Sequence, residues 1–507
     1  MKHPLQIIPE DFKNPIKLDR LLKTKPESYW SSRGERRVLD LFHLMAKRVP
    51  AYKDFLKKNK INHLLVKNIS DFKKVPPVDK NNYLRVYPLE ALCWDGEFDS
   101  KRWTVAVNSG STGEPFYFPR EIGQDRQYGL CAELYLRNNF EIHKKSTLYI
   151  DTWAMGAWIG GLFTYEALRL LAERGKYKLS IIAPGIVKDE IFKAVKSLGH
   201  KFDQVIIGGY PPFVKDILDE GETLGINWKK NNIKLIFSAE SFSEEFRDYV
   251  YERAGIRDTY KGSLNHYGTA DMGTMAHETP LSVYIRRVAR DNLKIHNRLF
   301  VERKVPTLTQ YIPELFYFEE VNAVLYCSGY SGLPFVRYDL KDWGGVISLA
   351  SLAKIFKEEN IDLSRETRKV GINNTVWNLP FVYVYERVDF SVKLYGAVIF
   401  PDSVRHALQT KRFSAGVTGK FTMYVDFDDK QDQFLVVNVE LKKGVAKTIE
   451  FERMLQTEIV ERLKTENSEY FSNYRSQPER QTPRVVLWDY ESPEFFRPGI
   501  KQKWVKK

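Results

Sequence analysis

Between residues 104 and 120 the chain reads TVAVNSGSTGEPFYFPR, an apolar run followed by a string of small hydroxyls and glycines. Residues of these types at this spacing can do two things. Glycine, serine and threonine form ordinary turns between strands. They also build phosphate-holding loops, because glycines let backbone N–H groups approach an anion and hydroxyls donate to its oxygens. Four further strings carry chemistry-bearing residues: SAES at 238–241, NHYGTADMG at 265–273, LPFVRYDLKDWGG at 333–345 and the C-terminal FFRPGIKQKWVKK. Each has a plain structural reading, as a helix N-cap with acidic first-turn residues, a turn, a solvated charge cluster and a solubilising tail.

The elements that must position these strings follow from hydrophobic periodicity. KSTLYIDTW reads as a buried strand, GLFTYEALRLLAERG as a helix closed by glycine, and KLSIIAPG as the next strand. FDQVIIGGYPPFVKDILDEG and IKLIFSAESFSEEFRDYVYERAG repeat strand, loop, helix. This predicts a largely parallel sheet flanked by helices, with NSGSTGEP, GGYPP and SAES where ligands bind in such sheets. Beyond about residue 390 the texture changes. TGKFTMYVDFDDKQDQFLVVNVELKKG alternates as a hairpin and TIEFERMLQTEIVERLK is amphipathic at helical spacing, which predicts a small α+β domain.

A chain of 507 residues with 43% hydrophobic content is expected to form two or more cores. Cys93, Cys131 and Cys327 are too few and too far apart for a disulfide framework or a paired-cysteine metal site, which fits a reducing cytoplasm. No signal peptide or bilayer-spanning run is expected. The net charge of +13 raises an anionic partner, but the lysines are scattered in small clusters and not gathered into an arginine-rich stripe. That favours a polyanionic small ligand over nucleic acid.

Taken in order, these strings resemble the motifs of adenylate-forming acid ligases over nearly the whole chain. They are most similar to the phenylacetate-CoA ligase-like branch, which includes members from capsular-polysaccharide biosynthesis. The N-terminal RVPAYKDFLKKN and ISDFKKVPPVDKNNYLRVYP resemble that branch's helical opening. The resemblance implies a large N-terminal domain, 1–388, with mostly parallel sheets flanked by helices and a helical opening over about 1–90. It also implies a small mobile α+β lid, 389–507. It places the β- and γ-phosphates of ATP on Ser109, Gly110, Ser111, Thr112 and Gly113, where Glu114 stands in place of the lysine of many relatives. Ala239 and Glu240 would support adenine, Tyr267 would lie against its ring, and Gly268 would permit the turn. Asp271 replaces the usual glutamate as magnesium ligand, keeping the carboxylate that a hard cation requires. Asp342 would accept the ribose hydroxyls and Arg387 would contact ribose or phosphate. Leu340 and Lys341 replace the usual Thr-Gly pair, while Glu386 and Phe390 replace a glycine and an aspartate. Asp389 would be the hinge, and Lys501, or alternatively Lys503, the catalytic lysine.

Trp153, Met155, Gly156 and Trp158, in YIDTWAMGAWIGGLF, match in position the segment bordering the acid pocket and suggest an aromatic or hydrophobic acid, although a buried, aromatic-packed helix start would read the same way. The implied reaction joins a carboxylic acid to AMP with release of pyrophosphate and then passes the acyl group to a thiol. Catalysis would rest on Lys501, Asp271 and Thr112, with ATP, Mg²⁺ and coenzyme A as reactants. Transfer to an amine, a hydroxyl or the thiol of an acidic carrier protein is the second reading. A catalytically idle nucleotide-binding or basic interaction protein, suggested by the substitutions, is the third. The acid, the acceptor and the oligomeric state are not legible.

Overall fold

The structure, a computed structural model, describes residues 7–107, 116–302, 304–387, 391–410, 412–413 and 415–496, without the side chains of Glu386 and Arg387. The chain opens with the helices Pro15–Thr24, Glu27–Arg48 and Pro50–Lys58. Trp30, Phe42 and Met45 of the long helix are fully buried against Leu325, Phe335 and Tyr338 of the main sheet in one apolar core.

The strands run in chain order β1 (Thr104–Val107), β2 (Tyr117–Arg120), β3 (Thr147–Asp151), β4 (Leu179–Ile182), β5 (Gln204–Gly209), β6 (Ile233–Phe237), β7 (Ser263–Thr269), β8 (Gly273–His277) and β9 (Thr307–Gln310). They continue as β10 (Phe316–Val321), β11 (Val324–Gly329), β12 (Phe335–Ile347), β13 (Phe381–Arg387), β14 (Val392–Leu394), β15 (Ala397–Ile399), β16 (Val417–Phe427), β17 (Gln433–Leu441) and β18 (Arg484–Trp488). Among the described residues, eleven of them form one sheet in the order β10-β11-β12-β13-β9-β8-β7-β6-β5-β3-β4.

The run β4-β3-β5-β6-β7 is parallel, as the alternating strand and helix pattern requires. From β7 onward the neighbours are antiparallel. The reason is local: β10 and β11 are joined by Asn322 and Ala323, both at positive φ, a two-residue hairpin connection too short for a crossover helix. The helices Ile122–Phe140, Ile159–Gly175, Pro211–Thr223 and Glu244–Ala254 flank the parallel half.

A separate sheet of β16, β17 and β18 forms the small C-terminal unit, with the helices Ile449–Glu466 and Ser468–Ser476 packed against it. β16 and β17 are the expected hairpin. The β14–β15 hairpin joins this unit to the large sheet's core: Leu394, Tyr395 and Ala397 are buried with Trp153, Tyr210 and Val214.

Candidate active site

A cavity of about 1190 Å³ opens beside the C-terminal ends of the parallel strands and is closed on one side by the small unit. At its rim Val107, the last described residue before the Ser/Gly loop, donates its N–H to the carbonyl of Ala157 at 2.9 Å and bridges to Trp158. β1 and β2 pair as an antiparallel ribbon with Val107 opposite Tyr117. Ser109, Gly110, Ser111, Thr112 and Gly113 lie outside the described residues, as do Asp389, Lys501 and Lys503.

Asp271 is carried by the turn between β7 and β8. Its Oδ2 accepts from the Tyr338 hydroxyl at 2.5 Å and lies 3.5 Å from Lys80 Nζ. Gly268 lies at a close approach of paired strands. A Cβ there would stand 2.6 Å from the carbonyl oxygen of Gly273 on the paired strand. Tyr267, one position earlier, donates its hydroxyl to Asp342 Oδ2 at 2.7 Å, and its ring stacks on Phe318. Asp342 lies within β12 opposite Arg387 of β13 and is only 5% exposed, so it is part of the cavity wall and not a surface group.

Lys80 was missed by motif reading and reaches the cavity through a specific strap. Val78 and the Arg337–Asp339 stretch exchange backbone hydrogen bonds, Val78 N–H to Arg337 O at 3.1 Å and Asp339 N–H to Val78 O at 2.9 Å. Asp79 then caps a π-helical turn, Lys80–Leu84, by a reciprocal box with Asn82. Single π turns recur at functional sites. Arg337 fixes the same strap: its guanidinium donates to Glu319 at 3.1 Å and to the carbonyls of Lys73, at 2.6 Å, and Val75. An Asp-capped, lysine-bearing turn straight after VPPV was the available signal in the sequence.

The SAES segment leads into the helix Glu244–Ala254, whose N-cap is Ser243 with Glu244 and Glu245 in the first turn. Ala239 sits at φ 72° in the cavity wall. Glu240 turns its carboxylate toward the small unit, where the Gly396 N–H and Gln433 Nε2, at 2.6 Å, donate to it. Burial pushes its pKa up to about 7 against these donors and Lys393. Gly396 is held at φ 85° with Tyr210 where a Cβ would be, 2.3 Å away, so only glycine fits this contact. Lys393 Nζ donates to the Ala239 carbonyl at 2.5 Å. Behind the segment a fully buried cluster of Arg247, Glu244, Glu278 and Arg286 fixes the loop, with Arg286 donating to the Phe242 carbonyl at 2.5 Å.

The deep wall is aromatic. Tyr128 stacks on Phe163 with centroids 4.4 Å apart, and Trp153 meets Tyr210 edge-on at 5.1 Å. Trp153 and Trp158 line the cavity. Met155 does not: its side chain packs on Gly161 and Gly185, and Gly156 next to it supplies a bend at φ 101°. His266, also in the wall, is kept neutral by burial, with a pKa near 3, and its Nε2 has no hydrogen-bond partner among the described residues.

The cavity can therefore place a nucleotide-sized polyanion beside one carboxylate suited to a hard cation and a lysine. It also has a second carboxylate aligned with a tyrosine, and an apolar pocket for another group. For magnesium, which is bound through one or two carboxylates with substrate phosphates and water, Asp271 supplies a fitting donor. Among the described residues no cluster of three or more metal-ligating side chains is present.

No protein-family model matches the sequence, and no curated protein matches it. Solved structures do. The chain superimposes on 2-hydroxyisobutyryl-CoA ligase in complex with 2-HIB-AMP and CoA in the thioesterification state with a TM-score of 0.67 at 15% identity, covering 100% of this chain and 96% of that one. Against the same ligase in the postadenylation state with 2-HIB-AMP the TM-score is 0.55 at 15% identity, with 96% and 91% covered. An open conformation of that ligase with 2-HIB-AMP and CoA gives 0.56 at 14% identity, with 100% and 99% covered. The chain thus has the adenylate-forming ligase fold, a large sheet flanked by helices with a separate small C-terminal sheet domain.

Proposed function

We propose that this protein is an AMP-forming acid ligase of the phenylacetate-CoA ligase-like branch, which activates a carboxylic acid with ATP and passes the acyl group on to a thiol. The observation that carries the reading is convergence. Motif residues scattered from Val107 to Asp342 meet around one cavity on the expected fold.

In this mechanism the first task is to bring a carboxylate against a polyphosphate, so charge must be neutralised where it develops. The loop of Ser109–Gly113 supplies amide and hydroxyl donors, Asp342 holds the ribose hydroxyls, and the Tyr267 ring supports the base. Asp271 would hold magnesium, which when bound supplies Lewis-acid stabilisation of the phosphate oxygens. Thr112 belongs to the same phosphate-holding loop, and Lys501, with Lys503 as the alternative, bridges the acid and the α-phosphate. Tyr128, Trp158 and Phe163 accept the apolar part of the acid, which favours an aromatic or hydrophobic substrate.

The small domain, with its boundary at 388/389 and its hinge at Asp389, then rotates to admit coenzyme A. The contact of Glu240 with Gly396 and Gln433, and the better overlay on the relative's thioesterification state than on its postadenylation state, support assigning the described arrangement to the transfer step.

The test is acid-dependent ATP–pyrophosphate exchange over a panel of carboxylic acids, with products analysed in the presence of CoA and of amines. Lys501→Ala is expected to slow adenylation by roughly 10² or more while sparing transfer from supplied acyl-adenylate. A defect confined to Lys503→Ala moves the register by two residues. Exchange with no acid in the panel refutes the activity, and product with amines alone replaces the thiol acceptor.

A further inference from the structure

A second cavity, of about 610 Å³, lies at the opposite edge of the parallel sheet from the proposed active site. It forms where the C-terminal ends of the helices Ile122–Phe140 and Ile159–Gly175 meet the residues that lead into β3 and β4. Its volume falls in the range of small-ligand sites. Its wall is basic: Arg137, Lys144, Lys145, Lys176 and Lys178 face it, with Lys13 and Arg174 beside them, against Glu133 as the lining carboxylate.

The floor is built. Glu133 is buried and accepts from Arg174 Nε at 3.1 Å and from the Tyr177 hydroxyl at 2.5 Å, while Arg137 Nη1 donates to that same hydroxyl at 2.9 Å. Arg137 is thus oriented by a neutral phenol. Among the described residues neither Arg137, Lys176 nor Lys178 has a carboxylate within ion-pair distance.

Helix dipoles do not account for this concentration of charge. Two helix C-termini offer about half a negative charge each. Glu10 pairs with Lys13 at 2.7 Å, Glu133 with Arg174, and Glu141 is shared by Lys144 at 2.7 Å and Lys145 at 3.0 Å. With the dipoles counted, and with Asp203 close enough to Lys178 and Lys145 to act on both, about two positive charges stay uncompensated around one concavity. His143 reports the same field. Its pKa lies below the ordinary value through desolvation and the nearby Arg137 and Lys144, against the weaker pull of Glu141 and Asp19.

We propose that this cavity binds a small soluble polyanion carrying two or more phosphate groups, at a site separate from the adenylation centre. A guanidinium held in place beside flexible ammonium groups is the donor set that phosphate oxygens select. The concave shape favours a soluble ligand over a membrane. Ile16 is the one strongly exposed large apolar side chain among the described lining residues, too little to enter a bilayer. The proposal does not depend on the function proposed above.

The test is calorimetric titration of the full chain with inorganic tripolyphosphate, with hydrogen exchange used to locate the bound anion. Binding is expected to protect the backbone of 137–145 and 174–178. Lys176→Glu combined with Lys178→Glu, both exposed, should weaken that protection at least tenfold without lowering the melting temperature. Arg137→Gln should weaken it independently, and Lys176→Arg with Lys178→Arg should retain it. Unchanged exchange in both segments, or equal protection by sulfate at the same concentration, overturns the proposal. So does charge-reversal-sensitive binding to anionic vesicles or to single-stranded DNA without any response to tripolyphosphate.

Discussion

Glu240 offers the sharpest test of how the two domains interact. Its carboxylate is buried where the Gly396 N–H and Gln433 Nε2 reach it from the small domain, and burial raises its pKa from an ordinary 4.5 to about 7. The sign follows from linkage: a group whose pKa is raised in the docked state favours docking fully below pH 4.5 and loses that contribution as pH rises through about 7. If the undocked carboxylate keeps its ordinary value, the docking equilibrium falls roughly thirtyfold, about 2 kcal/mol, between pH 5.5 and pH 8. Asp216, which accepts from the Tyr395 hydroxyl at 2.9 Å and is pushed up to about 6 by burial, adds to the same trend. The assay is fluorescence transfer between dyes on exposed positions of the two domains, with amide exchange at residues 392–400 corrected for intrinsic rate. Glu240→Gln mimics the protonated acid and should flatten the profile, holding at pH 8 the arrangement that the unaltered chain loosens. An identical pH profile in Glu240→Gln, with docking intact, would refute the reasoning.

Other expectations follow from the same geometry. Asp342→Ala should weaken ATP binding strongly and also cost about 1–3 kcal/mol of stability, because the buried Tyr267 hydroxyl loses its acceptor. Combined with Tyr267→Phe it should show a coupling of about 1 kcal/mol in thermal melts, and strict additivity would separate the two groups. Asp271→Asn should abolish magnesium-dependent pyrophosphate exchange, and retained exchange at ordinary magnesium removes the carboxylate from the site. Lys80→Met should lower the magnesium concentration for half-maximal exchange several-fold, since its ammonium lies 3.5 Å from Asp271 Oδ2. A rise instead would put Lys80 on the phosphates. Asp432→Asn strips one of the two carboxylates from the buried Lys215, whose other partner Asp219 lies 2.7 Å away. It should cost about 3 kcal/mol, read as earlier melting and faster proteolysis of the small domain.

What the sequence made legible tracks how local the physics is. β3, β5 and β6 were visible because a strand buried on both faces needs a short, continuous apolar run, and β4, the half-exposed edge strand, because its own apolar run is also followed by a helix. The antiparallel half of the sheet was not visible. Its pairings depend on hairpins such as Asn322–Ala323, where two ordinary residues take positive φ without a glycine to announce it. The same division runs through the site. Asp271, Tyr267 and Asp342 could be singled out because their neighbours form recognisable strings. That Tyr267 and Asp342 meet across 75 positions of chain is a property of β7 and β12 lying in one sheet.

Glu240 shows where local reading runs out. From its string it is a residue beside a nucleotide base. In the fold, its carboxylate is committed to the backbone of Gly396 and the side chain of Gln433, contacts that join residues more than 150 positions apart. Lys80 shows the converse, a plain surface lysine by sequence that becomes a cavity residue only because Val78 is stitched to the Arg337–Asp339 stretch. For Glu240 the deciding quantity is desolvation, and for Lys80, which stays part-exposed, it is the nearness of the Asp271 carboxylate. Each charged group meets a partner that a one-dimensional pattern does not contain, and the chemistry it can then do is set by that partner.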